Sequence, residues 1–212
     1  MGRRFEPVGA YRNRESPKSA THTWVGGWSG YPVLMPFPLL TPRVSIEPLT
    51  MRDVDEFVRY RQDPEIARYQ SWDTNFSAQQ GADLVQSQVD VVLPATGNWL
   101  QLAIHDRETG GLLGDLALHA IDDVELTFEI GFTIARAHQG QGFAKESALR
   151  LMEYLFTAVG ATKLIATTDN RNVASINLLV ALEFERVPSK SWTENFKNEE
   201  ITVDYFEKHL RN

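Results

Sequence analysis

From residue 43 onward the apolar positions follow two periods, and the pattern predicts an ordered series of elements. Arg43-Val-Ser-Ile-Glu-Pro48 alternates and predicts a strand. Thr50 stands as a cap with Asp53 in the first turn of a helix running to about Tyr60. Asp63-Pro64 starts a second helix, with proline at its first position. Ser77-Ala-Gln-Gln80 is a capping box and predicts a helix to about Val91. Trp99–Asp106 alternates with Leu100, Leu102 and Ile104 on one face. Arg107–Gly111 reads as a hairpin turn, Leu112–Ile121 as the returning strand, Asp122-Asp123 as the next turn and Val124–Ile134 as a third strand. Helical spacing returns over Ala144–Val159, through Ala148, Leu151, Met152, Leu155, Phe156 and Val159. Lys163–Thr168 is a short β-branched run, Asn172–Leu182 a helix, Glu183–Val187 a strand and Glu200–His209 a closing strand. A meander followed by alternating helices and strands predicts an α/β sandwich with a mixed sheet.

Residues 1–42 share neither period. Gly26-Gly27, Gly30 and prolines 32, 36, 38 and 42 interrupt every regular pattern. This stretch reads as an irregular N-terminal arm, with residues 43–212 as the domain. Tyr31, Val33, Leu34, Met35 and Phe37 suggest that its later part docks on the domain or on a second subunit, so residues 21–42 are a candidate homodimer contact.

Composition narrows the chemistry. Hydrophobic residues make up 42% and charged residues 23% of 212, an ordinary globular balance. The absence of cysteine excludes disulfides, thiolate metal sites and a cysteine nucleophile, and fits a reducing cytoplasm. No apolar run approaches the length of a membrane helix, so no membrane partner is expected. Met1–Ala20 carries five basic residues without an apolar segment and does not read as a secretory signal. The net charge is -7, and residues 1–20 contribute +3, which leaves -10 on the remainder. Such a surface disfavours nucleic acid and favours cationic partners.

The most informative segment runs from Gly131 through Gln139-Gly-Gln-Gly142-Phe-Ala144. A strand ends, a short glycine-bearing loop follows and a helix begins. Unpaired N–H groups and the helix dipole at such a junction make an anion site suited to a pyrophosphate. Gly140 and Gly142 would let phosphates approach the backbone, and small Ala144 keeps the first turn close to the sheet. The loop lacks Gly-x-Gly-x-x-Gly and the Gly-Lys-Ser/Thr ending of a Walker A loop. His105, His119 and His138 are dispersed without ligand spacing, which argues against a metal site.

Gln139-Gly-Gln-Gly142-Phe-Ala144 resembles the Gln/Arg-x-x-Gly-x-Gly/Ala signature of the GNAT superfamily of N-acetyltransferases. Asn170-Arg-Asn172-Val-Ala-Ser175, Leu178-Leu179 and Leu182-Glu-Phe184 resemble a segment of its ribosomal-protein N-acetyltransferase (RimJ/RimL-like) branch, as do Thr41–Thr50 and Asp63–Ala67. The resemblance spans about residues 41–209. It implies the acyl-CoA N-acyltransferase fold, a three-layer sandwich around a mostly antiparallel, splayed sheet, and acetyl-CoA as co-substrate without a metal. It further implies that the strand residues Phe132, Thr133 and Ile134 pair with the pantetheine arm. The loop Gln139, Gly140, Gln141, Gly142, Phe143 and Ala144 would hold the pyrophosphate, and Asn172 would bond the cofactor arm or a site water.

Acyl transfer to an amine needs a base for the amine, donors for the oxyanion and an acid for the leaving thiolate. Glu129, three residues before Phe132, is the candidate base, acting through one water. Many relatives place a tyrosine where this chain has Leu179, so Ser175 is the candidate acid, although Asn172-x-x-Ser175 also reads as a helix start. Glu183 replaces the branch's glycine. Tyr69, Trp72 and Phe76 are candidates for shaping the acceptor pocket, with a cation over Trp72 or with the rings simply closing the core. The expected acceptor is an amine-bearing small molecule or a protein N-terminus. The competing expectation is an acyl-CoA-binding module without turnover.

Overall fold

A computed structural model describes residues 37–210 apart from Asp123. Most of the N-terminal arm, including its candidate dimer contact up to Pro36, lies outside the described residues. Regular structure begins at β1 (Leu39–Leu40), which pairs antiparallel with β2 (Val44–Pro48). A 3₁₀ turn at Met51–Asp53 leads into α1 (Val54–Arg61), followed by α2 (Pro64–Ala67) and α3 (Ala78–Ser87). The meander is β3 (Trp99–Asp106), β4 (Leu112–Asp122) and β5 (Thr127–Ile134). Then come α4 (Phe143–Tyr154) with a π-helical turn at Leu155–Val159, β6 (Lys163–Asp169), α5 (Val173–Ala181), β7 (Glu185–Arg186), β8 (Trp192–Phe196) and β9 (Glu199–His209).

The sheet order is β1-β2-β3-β4-β5-β6-β9-β7, with β8 also on β9, and among the described residues only β5 and β6 run parallel. Both faces are covered, as the three-layer expectation requires. Leu100, Leu102 and Ile104 pack with α4 and α5, and Gln101, Ala103 and His105 on the opposite face are buried as well. That second face carries Phe57, Trp72 and Phe76 and the α1–α3 layer.

Several boundaries differ from the sequence pattern. α3 stops at Ser87 rather than near Val91, because Gln88 turns its Oε1 to accept the Gln101 N–H at 2.6 Å. β5 begins at Thr127 rather than Val124, because Asp122 Oδ1 accepts the N–H groups of Val124 and Glu125 and holds them in a turn. The strand expected at 183–187 shrinks to Glu185–Arg186. Glu183 stays left-handed at φ 61°, ending α5 as a glycine would, and Lys208 Nζ bonds both Leu182 O and Glu183 Oε2.

Candidate active site

β5 and β6 pair at Thr127–Lys163, Phe128–Leu164 and Glu129–Ile165, and there their pairing ends. Each strand continues along its other neighbour, β5 on β4 to Ile134 and β6 on β9 to Asp169. The inner edges of 130–134 and 166–169 therefore face each other across a fork without a ladder between them. Gly114 lets β4 and β5 close on the outer side, because a Cβ there would lie 2.1 Å from Thr133 O and 2.8 Å from Ile134 Cα.

Beyond the fork, Gln139 Nε2 donates to Ile134 O at 2.9 Å and folds the loop back over the strand end. Gly142 caps α4 at φ 82° with no side-chain hydrogen bond of its own, and Glu146 N–H makes the first helical bond to Gly142 O. The N–H groups of the first helical turn are thus left for a ligand, with the helix dipole behind them. Glu146 itself is turned aside. Its Oε2 accepts from Arg43 Nε, and its Oε1 from Thr41 Oγ1 and Arg43 N–H. The cleft in front of the loop measures about 630 Å³ and carries the basic side chains of Arg136, His138 and Lys145 along its wall. A loop of unpaired donors with a basic rim suits a polyanion, and the unfilled fork suits an extended arm bearing amides, so acetyl-CoA fits the residues present.

The sequence-derived residues converge here, with two exceptions. Phe132 and Thr133 line both the cleft and a chamber of about 60 Å³ inside the fork. Ile134, Gln139, Gly140, Gly142, Phe143 and Ala144 line the cleft. Asn172 and Ser175 line both spaces, and Asn172 Oδ1 accepts the Ser175 N–H at 3.1 Å, capping α5. Gln141 stands outside the lining. Its Nε2 donates to Ala137 O and its carbonyl accepts from Arg43 Nη1. Glu129 also stands outside it, buried to 2% exposure just where the β5–β6 pairing ends. Burial pushes its carboxyl above the usual range, against hydrogen bonds to His119 and Thr167 that act the other way.

The far wall of the chamber includes residues that pattern reading did not single out. Asp115 is 1% exposed and accepts from Tyr60 Oη and Gln101 Nε2. Burial pushes its carboxyl up, with Arg61 at 3.8 Å opposing. The cation over Trp72 is the chain's own Arg61, whose guanidinium lies 3.7 Å from the Trp72 ring centre, and the Trp72 Nε1–H donates to Arg61 O. Tyr69 and Trp72 line the chamber, whereas Phe76 joins the core. The tip of the β8–β9 hairpin reaches this region. Lys197 Nζ donates to Ala67 O at 2.8 Å and Trp72 O at 2.6 Å and lies 3.1 Å from Asp73. Among the described residues no cluster of three or more His, Asp or Glu side chains is placed to hold a metal, and no helix is long and apolar enough to cross a membrane.

The geometry has known counterparts. The family model for the acetyltransferase (GNAT) domain matches residues 43–185. An uncharacterized N-acetyltransferase of Bacillus licheniformis, p20, is 29% identical over 148 residues, which cover 70% of this chain and 82% of p20. Among solved structures, a spermidine N-acetyltransferase from Vibrio cholerae in complex with CoA and spermine aligns with a TM-score of 0.69 at 18% identity, over 80% of this chain and 96% of that one. RimL, a ribosomal L7/L12 α-N-protein acetyltransferase in complex with CoA, gives a TM-score of 0.69 at 16% identity over the same shares. The matched segment holds the fork, the glycine loop and the start of α5, and the chain belongs to the GNAT family as an N-acetyltransferase.

Proposed function

We propose that this protein transfers the acetyl group of acetyl-CoA to a primary amine by direct attack, with both substrates seated in the fork. The observation that carries this reading is the end of β5–β6 pairing at Glu129–Ile165, which opens a fork along 130–134 that leads to the glycine loop at the start of α4. Backbone groups of Phe132 and Ile134 offer edge hydrogen bonds to an extended arm, and the loop of Gln139, Gly140, Gly142, Phe143 and Ala144 offers donors to phosphate. Acetyl-CoA brings an activated thioester whose thiol, judged from cysteine, has a pKa of about 8.5. Ser175 lines both the chamber and the cleft, which supports its hydroxyl as the group that protonates the departing sulfur. Glu129, held in a dry site, takes up the proton of the amine by way of the chamber.

The acceptor enters from the side of Tyr69, Trp72 and Asp115, opposite the glycine loop. A narrow chamber admits the end of an unbranched primary amine. Both a polyamine and the N-terminus of a protein meet that description. They are the acceptor types named for two structural neighbours, and the second is what the ribosomal-protein branch resemblance implies.

The test is thermal unfolding with and without acetyl-CoA, followed by CoA release. Ligand at 100 times its Kd adds about 2.7 kcal/mol, which raises Tm by roughly 5–11 °C. Gly142→Trp abolishes the shift while the protein remains cooperatively folded. No shift in wild type refutes the cofactor site. A shift without CoA release on any primary amine favours an acyl-CoA-binding module, a role that buried Leu179, in place of a phenol, permits.

A further inference from the structure

The two oxygens of Glu129 face different worlds. Oε1 accepts a hydrogen bond from Thr167 Oγ1 at 2.9 Å, and Oε2 lies 3.4 Å from His119 Nδ1. Thr167 lines the chamber in the fork. The His119 side chain is 12% exposed, so it touches solvent where Glu129 does not. Its ring stacks on Trp99 with centres 4.4 Å apart and an interplanar angle of 15°. Strand register explains the row. Trp99 sits opposite His119, His119 opposite Glu129 and Glu129 opposite Ile165, with Thr167 on the same face two positions further along β6. The next rung toward the fork carries the small residues Ala117 and Gly131, both of which line the chamber.

Acetylation turns an ammonium into an amide and releases a proton. With acceptor and cofactor seated, the cleft mouth is filled, and a protonated carboxyl at 2% exposure has no direct route to water. We propose that Thr167, Glu129 and His119 form the exit path for this proton, from the fork to solvent at the other end of the row, with Trp99 as a positioning residue for the imidazole. The inference rests on the reading above, that an amine is acetylated in the fork. In the first step the ammonium N–H proton moves to Thr167 Oγ1 as the hydroxyl proton moves to Glu129 Oε1. The amine gains its lone pair and the carboxylate becomes a carboxylic acid. A half-turn of that group brings its O–H to His119, and the proton passes to Nδ1 of the neutral imidazole. The imidazolium then releases one proton to bulk water, which restores imidazole and carboxylate, so one proton leaves for each amide formed.

The experiment measures CoA release with spermidine and with a serine-initiated tetrapeptide. In His119→Ala, kcat falls by about 10- to 100-fold, KM for acetyl-CoA and amine stays within about twofold, and the acetyl-CoA thermal shift is retained. Added imidazole restores kcat with saturation, whereas pyrazole, of the same shape but hardly basic, does not. Neither compound rescues Glu129→Gln. Unchanged kcat in His119→Ala overturns the path, and so does equal rescue by pyrazole, which would mark a packing role. If the alanine variant does not fold cooperatively, His119→Gln replaces it, and the same loss of kcat without a change in KM is required. A wild type that acetylates neither amine overturns the underlying reading and the path with it, whereas an active wild type with an indifferent His119 overturns the path alone.

Discussion

Arg43, immediately before β2, and Glu146 on α4 stand 103 residues apart in sequence, and two nitrogens of the one lie 2.6 Å from a single oxygen of the other. The pair bolts the first full strand of the domain to the first turn of the phosphate-loop helix. Arg43 also donates to Gln141 O at 2.9 Å, and its guanidinium lies over the Phe143 ring. The arginine is about half exposed, so the ion pair itself contributes little, and the cation–π contact adds about 0.5–1 kcal/mol. Arg43→Ala is expected to lower Tm by only about 2–4 °C, the equivalent of about 1 kcal/mol in a domain of this size. Its larger effect falls on the loop: the Kd for acetyl-CoA rises about tenfold, or about 1.4 kcal/mol, by calorimetric titration.

Glu129→Gln separates function from stability. Burial raises the folded-state pKa of Glu129 above its unfolded value, so the folded protein binds the extra proton between those two values. Stability therefore falls as pH rises through that window, and the charged group is a liability above it. Glutamine keeps an acceptor for Thr167 and carries no charge. The expected outcome is a Tm equal to or above wild type at pH 8, with kcat down by about 10²–10⁴-fold. Scanning calorimetry and steady-state kinetics on the same preparation check both halves.

His105 centres a second buried polar cluster, remote from the fork. Its Nε2 lies 2.8 Å from Asp53 Oδ1 and its Nδ1 3.0 Å from Glu47 Oε1, with the ring 4% exposed. Burial alone would raise the Asp53 carboxyl, but hydrogen bonds from His105 and Thr50 outweigh it and hold it below its usual value. A depressed carboxyl pKa contributes stability that is present above the unfolded pKa and lost as pH falls through the folded one. His105→Leu removes the buried partner of Asp53 Oδ1 and leaves the Thr50 bonds to Oδ2, and is expected to cost about 1–3 kcal/mol, seen as a lower urea midpoint at pH 7. The gap between variant and wild type narrows in acid, as pH falls through the depressed carboxyl pKa of Asp53 in wild type and the group protonates in both.

Lys197 is expected to govern the acceptor and not the cofactor. Its ammonium ties the β8–β9 turn to Ala67 O, Trp72 O and Asp73, on the segment that carries Tyr69 and Trp72 to the chamber. Lys197→Met removes all three ties while keeping the length of the stem. KM for the amine should rise by about 5- to 30-fold, a cost of roughly 1–2 kcal/mol, with KM for acetyl-CoA unchanged. Equal effects on both substrates would show that the hairpin only stabilises the fold.

Much of this was legible in the chain because the relevant signals are local. The meander announces itself by alternation, and the loop at 139–144 by two glycines between a strand and an apolar-periodic helix. The chamber was not legible, because it is assembled by register. Asp115 faces Thr133, and Gln101 faces Ala117, only once three strands are aligned. An acidic residue in the apolar run Leu112–Ile121 was the one available hint of Asp115. β8 escaped because its two faces are exposed and half-buried, not polar and apolar, and because Lys197 and Asn198 take positive φ angles of 50° and 67° where glycine usually signals the turn.

The halted pairing of β5 and β6 makes this sheet an unfinished hydrogen-bond ladder, open to an extended ligand along 130–134 and 166–169. On the proposed binding mode, an acetyl thioester without amides in its arm would leave the ladder's open rungs empty and is expected to be a poorer donor than acetyl-CoA, a selectivity that point mutation of side chains would hardly change. The same vacancy gives amide hydrogen exchange a sharp signature. Amides on the inner edges of 130–134 and 166–169 should exchange readily in the free protein and slow together when the donor binds, while those of β3 and β9 stay as they were.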